Sequence, residues 1–193
     1  MISHKHRFIF VHVGRTGGSS LERLAGIDQT NDPRTSHTGN TDFSEKHATF
    51  SDYYRQYPKQ FPHYFKFTII RNPYERLVSA WFWRCTIVKD HQCSFLEFAL
   101  SRPENWSFKS RLELEHLCFS ESVDTFDFVA RYENINSDLR YICSQTGLDY
   151  SKYPHTNKTE HLDYWKYYDD KTMKLVTKRF RLDIEYFDYT FGK

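Results

Sequence analysis

The stretch Phe8-Ile9-Phe10-Val11-His12-Val13-Gly14-Arg15-Thr16-Gly17-Gly18-Ser19-Ser20-Leu21-Glu22-Arg23-Leu24 decides the fold. Phe8–Val13 is apolar apart from His12, a run of the right length for a buried strand. Gly14, Gly17 and Gly18 then let the backbone curl until several N–H groups point inward. Leu21, Leu24 and Ala25 follow at helical spacing, and Gly26 ends the pattern. Ser19-x-x-Glu22 has the form of a capping box, so the spacing predicts a helix from Ser19 to Ala25. The inward N–H groups, the positive end of that helix and the Arg15 guanidinium together form a device for holding a phosphate or sulfate group.

Composition limits what surrounds this turn. The chain has 193 residues, 39% hydrophobic and 18% aromatic, which fits one globular domain over residues 1–193. Lys and Arg number 27 against 25 Asp and Glu, a net charge of +2. A dedicated nucleic-acid binder carries a stronger basic excess, so no nucleic-acid partner is expected and any anion site must be local. No apolar run approaches a membrane span, and Met1-Ile2-Ser3-His4 does not read as a signal peptide. A soluble, cytoplasmic protein is the expectation, with its oligomeric state open. Cys85, Cys93, Cys118 and Cys143 are then expected as thiols. The pairs His91/Cys93 and His116/Cys118 lack a common zinc spacing, so no metal is expected. For the aromatics in Tyr150–Tyr168 and Tyr186–Phe191, packing under a sheet is favoured over stacking on a base or sugar.

Further along, Tyr64–Ile70 is a second strand running into Arg71-Asn72-Pro73-Tyr74-Glu75-Arg76-Leu77-Val78-Ser79-Ala80-Trp81. Asn72 suits an N-cap, Pro73 the first helical position, and Glu75 the far side of a capping box. Arg71 therefore falls at the carboxyl end of a strand, with Ser79 about two turns into the helix. Short helices are predicted over Thr49–Tyr57 and Ser94–Leu100, a third strand over Phe126–Tyr132, and a helix over Ser137–Thr146. Asp149–Thr159 reads as a loop, and Asp170–Tyr186 as one final helix with Met173, Val176, Phe180 and Ile184 on a single stripe. Ile27–Lys46 is a long polar connection of the kind that covers substrates, and Val88–Phe119 reads as an insertion on the acceptor side. Alternation of strands and helices implies an α/β, P-loop-like three-layer fold, a central parallel sheet flanked by helices. Ligands of such sheets bind at the carboxyl ends of the strands, where Arg15 and Arg71 fall.

The first turn is not a Walker A loop, because its cation precedes the paired glycines, and no strand-end aspartate follows to hold magnesium. Both points weigh against a small-molecule kinase. With the Arg-Asn-Pro-Tyr-Glu-Arg-Leu-Val-Ser-Ala-Trp segment, the chain resembles the sulfotransferases that use 3′-phosphoadenosine 5′-phosphosulfate (PAPS) as donor and leave 3′-phosphoadenosine 5′-phosphate (PAP). The likeness is greatest to the carbohydrate sulfotransferases of the heparan and uronyl 2-O and chondroitin types. It extends to Arg131–Ile135, Pro154–Thr159 and Asp183–Tyr189. The resemblance implies that Arg15, Thr16, Gly17, Gly18, Ser19 and Ser20 hold the 5′-phosphosulfate and that Arg71 and Ser79 hold the 3′-phosphate. Lys158, in the late loop, is expected as a further cofactor or acceptor contact. His47, in Lys46-His47-Ala48-Thr49-Phe50-Ser51-Asp52-Tyr53, is similar in placement to the family's histidine base, with His37, His12 and His155 as rivals. His12, on the strand leading into the turn, is expected to prop the loop. Position 15 departs from the family pattern, which has Lys, so Arg15 is both a cofactor contact and the cation expected beside the transferred group. The implied activity is in-line transfer, without metal, to a hydroxyl acceptor, a carbohydrate above all. The alternative is a protein of the same fold that binds PAPS, PAP or glycan without turnover.

Overall fold

Phe8 and Phe10 alternate with Ile9 and Val11 along β2 (Phe8–Val11), and all four side chains are fully buried. A strand buried on both sides must have helices over both sides. The computed structural model, which describes residues 1–26, 48–85, 94–100, 126–154 and 162–192, has that arrangement. Its sheet has four strands in the order β1-β2-β3-β4, where β1 is Ile2–Ser3, β3 is Phe65–Ile70 and β4 is Phe128–Arg131. β2, β3 and β4 run parallel, with Phe10 opposite Phe67 and Ile70 opposite Arg131. β1 is antiparallel to β2 and pairs Ile2 with Ile9.

Seven α-helices stand among the described residues: α1 (Gly18–Leu24), α2 (Phe50–Gln56), α3 (Pro73–Trp83), α4 (Phe95–Leu100), α5 (Ile135–Thr146), α6 (Asp170–Arg179) and α7 (Arg181–Phe187). The strand alternation sorts them. Phe8, Phe10, Phe67, Ile69 and Ala130 pack with Leu21 of α1 and with Leu139 and Ile142 of α5. Ile9 and Val11 pack on the other face with Tyr53 of α2 and with Phe61. The α/β three-layer architecture expected from the sequence is therefore present. A further cluster joins α3, α4 and α6 through Tyr74, Leu77, Phe95, Phe98 and Val176, with Tyr164 among them. The late tyrosines serve this packing: Tyr168 donates its hydroxyl to the Tyr74 carbonyl at 2.9 Å, and its ring meets those of Tyr74, Phe95 and Phe191.

Local chemistry fixes most helix starts. Thr49 and Asp52 form a reciprocal capping box on α2, and Ser94 with Glu97 do the same before α4. Three features differ from the sequence reading, two as corrections and one, β1, as an element it did not foresee. Asp170–Tyr186 is two helices, because Phe180 leaves helical geometry (φ −106°, ψ 28°). Its ring lies under the Arg76 guanidinium while Asp183, one turn on, pairs with that same buried arginine at 3.2 Å. A straight helix would have to satisfy both contacts on one unbroken stripe. The β1 edge strand, two residues long, carries no periodicity to announce it. The second correction is α1, which begins at Gly18 with Gly17 as its cap and no side-chain capping bond, so Ser19 is not the cap of a capping box.

Candidate functional site

The glycine turn joins β2 to α1 at the carboxyl end of the sheet. Arg15 (φ 67°) and Gly17 (φ 84°) both adopt left-handed backbone, which reverses the chain within a few residues. The Thr16 hydroxyl donates to the Val13 carbonyl at 2.7 Å and closes the turn from inside. Thr16 was expected among the anion ligands; its hydroxyl serves the turn, leaving its N–H as the group to offer. Beneath the turn lies His12, whose Nδ1 is 2.8 Å from the Glu22 carboxylate, both groups buried. A Cβ on Gly18 would stand 2.4 Å from the His12 ring. Glycine is thus required there by close approach, and the Glu22 carboxylate engages His12.

The second half of the site comes from β3 and α3. Asn72 caps α3 by accepting the Tyr74 N–H at 3.0 Å, and Pro73 follows as expected. Glu75 takes Arg71 Nη2 at 2.8 Å rather than completing a box. Arg71 is 7% exposed; its Nη1 donates to the Arg15 carbonyl at 3.2 Å, and its guanidinium carbon lies 4.1 Å from the Tyr132 ring centroid. Its Nε is buried with no acceptor among the described residues. Arg15 turns toward α3, where Nε and Nη2 both donate to the Ser79 hydroxyl at 3.3 and 3.2 Å, and its guanidinium lies 5.9 Å from the Trp83 ring centroid. Burial and the Arg71 charge together lower Arg15 to about 10, a large departure for a guanidinium. Two cations of one sign, with hydroxyl and N–H donors beside them, are complementary to an anion.

Tyrosines that the sequence reading did not single out complete the walls. Tyr132 would meet a Cβ on Gly17 at 3.3 Å, and the Tyr153 hydroxyl, raised in pKa by burial, hydrogen-bonds the side chain of Ser20 on α1. The signal was present in Arg131-Tyr132-Glu133, read there as family likeness without a role for the ring. Glu133 accepts the Asn72 N–H at 2.6 Å and lies 3.3 Å from the Tyr189 hydroxyl, tying the start of α3 to β4 and to the end of the chain.

The structure thus brings Arg15, Thr16, Gly17, Gly18, Ser19, Ser20, Arg71 and Ser79 to one end of the sheet. His47 and Lys158 lie outside the described residues, as do His37 and His155. So do Cys93 and Cys118 with their neighbouring histidines. Among the described residues no group of three or more His, Cys, Asp or Glu could hold a metal ion, and no helix is long and apolar enough to cross a membrane.

A parallel sheet with a glycine turn after one strand and a buried arginine after the next defines a protein of α/β, P-loop-like architecture. The family model described as the sulfotransferase family matches residues 1–190, and the chain belongs to that family. It is accordingly a transferase of sulfuryl groups to a hydroxyl-bearing acceptor. No curated protein and no solved structure matches it.

Proposed function

We propose that the protein transfers the sulfuryl group of PAPS to a carbohydrate hydroxyl. The observation that carries this reading is the convergence of Arg15, Arg71 and Ser79 beside the glycine turn. The residues present suit the donor nucleotide. Arg71 has a buried donor without an acceptor among the described residues, and a side chain at Gly18 would collide with His12. The N–H groups of Thr16–Ser20 would hold the 5′-phosphosulfate, Arg71 and Ser79 the 3′-phosphate, and Lys158 would add a further contact. PAPS supplies an activated sulfuryl group whose leaving phosphate departs opposite the acceptor oxygen. The protein's part is to bind both ends of the nucleotide, to align the acceptor and to remove its proton. His47 is the proposed base, since imidazole titrates in the working range. Guanidinium groups and backbone N–H groups supply the positive charge, and the chemistry calls for no metal.

His47→Ala tests the base directly. It should abolish transfer of labelled sulfuryl from PAPS to a glycan panel while leaving PAP affinity within about twofold, as loss of a general base costs on the order of a hundredfold or more in rate. A variant that keeps full activity would remove His47 from the mechanism. One observation favours the second reading, a nucleotide-binding protein without turnover: the Arg15 guanidinium is committed to Ser79. PAP binding with no transfer to any acceptor in the panel would support that reading.

A further inference from the structure

We infer that Tyr153 is a positioning residue for the donor nucleotide: its hydroxyl holds the Ser20 oxygen so that the Ser20 proton is turned toward the 5′-phosphate-bearing end. The inference rests on the PAPS reading, in which Ser20 is a ligand of that end, and concerns a tyrosine that lies outside the glycine turn.

Geometry carries it. Ser20 is a buried serine on α1, and the Tyr153 hydroxyl hydrogen-bonds its side chain. The same hydroxyl lies 4.0 Å from the place that a Cβ on Gly17 would take, so the phenol ends at the turn itself. Its ring is held from behind. Tyr150 and Tyr153 stack with 6° between their planes and 6.2 Å between centroids, and the Arg140 guanidinium carbon stands 4.2 Å from the Tyr150 ring centroid. Tyr150 donates its hydroxyl to Asn136 at 3.3 Å, and the Tyr153 N–H donates to the Tyr150 carbonyl at 3.0 Å. Asp149 accepts from the N–H and the hydroxyl of Ser151 at 3.0 and 2.7 Å, which caps the short turn Tyr150–Lys152. A column from α5 through two rings thus delivers one hydroxyl to Ser20.

Chemistry gives that hydroxyl its direction. A serine hydroxyl has one proton and two acceptor sites, and on a helix it commonly gives the proton to the carbonyl one turn back. A phenol is the stronger donor of the two, and burial raises the Tyr153 pKa, so it stays protonated at neutral pH. The favourable order is therefore phenol to serine oxygen and serine proton to anion, each bond strengthening the next. A phenylalanine would fill the same space against the cluster of Leu21 and Ile142, but the contact with Ser20 needs the hydroxyl.

The test is calorimetric titration of the whole chain with PAP and with adenosine 3′-phosphate, which differ by the 5′-phosphate alone. It is run on the wild type, Tyr153→Phe, Ser20→Ala and the double variant. Tyr153→Phe, which keeps the ring and its stack, should weaken PAP about fivefold, the usual weight of one neutral hydrogen bond, and leave adenosine 3′-phosphate within about twofold. Ser20→Ala should weaken PAP at least as much, and the double variant should lose no more than Ser20→Ala alone, because Tyr153 acts through Ser20. Losses that multiply in the double variant would overturn the inference, as would a Tyr153→Phe variant that binds PAP like the wild type. Equal weakening of both nucleotides by Tyr153→Phe would make the tyrosine merely structural and overturn it too; the PAPS reading survives each of these results. A wild type that binds neither nucleotide overturns the PAPS reading together with the inference.

Discussion

Gly18 shows at the scale of one residue how the cradle is held. Its missing side chain is the space taken by the His12 ring, and that ring is fixed by the Glu22 carboxylate. Gly18→Ala inserts a methyl carbon 2.4 Å from ring atoms in a buried setting. The expected cost is about 1–3 kcal/mol, read as a lower urea midpoint, together with weakened PAP binding as the turn shifts. An alanine variant with wild-type midpoint and affinity would show that the His12 contact does not shape the turn. The glycines and Arg15 were legible because backbone reversal and charge are properties of residue type. The partners of Glu22 and Glu75 were not, because capping-box spacing offered each a different one, and the Thr16 hydroxyl, expected on the anion, closes the turn instead.

Among elements, α3 carries the most. Its N-terminal end is held by Glu133 from beyond β4, and Asn72 Nδ2 reaches the Thr190 carbonyl at 3.3 Å. Its middle is held by the buried pair of Arg76 with Asp183 of α7, across more than a hundred residues of sequence. Removing one member of such a pair leaves a buried charge poorly compensated, which costs about 3–5 kcal/mol. Asp183→Asn should therefore lower unfolding stability by that order, measured by chemical denaturation, and should loosen nucleotide binding through displacement of Ser79. A loss under about 0.5 kcal/mol, the range of an ordinary surface change, would mean that Arg76 does not depend on Asp183. The helix from Pro73 was readable from Asn72 and Pro73, since caps are local. The break at Phe180 was not, because an aromatic on a helical stripe looks the same whether the helix continues or bends over an arginine.

Across the whole molecule, each of the three parallel strands delivers an arginine at or just beyond its carboxyl end: Arg15 after β2, Arg71 after β3 and Arg131 closing β4. The first two meet at the candidate site. Arg131 instead donates to the Phe187 carbonyl at 2.8 Å and lies over the Tyr189 ring, so it anchors the C-terminal segment. Strand alternation and the two motifs were enough to place the sheet and to bring Arg15 and Arg71 to one end of it. Which arginine anchors a distant segment and which stays at the candidate site depends on contacts between distant segments, and no local spacing encodes them. With a net charge of only +2, affinity for an anionic nucleotide must come from the local pair, not from the overall field.

The central claim is that this end of the sheet binds the donor nucleotide by both phosphate-bearing ends. Thermal unfolding with and without PAP or PAPS tests it most directly. Nucleotide at about a hundredfold over its dissociation constant stabilises the native state by about 2.7 kcal/mol, a rise in Tm of roughly 5–10 °C for a chain of this size. That rise is the predicted result for both nucleotides; a Tm that neither of them moves would contradict the account.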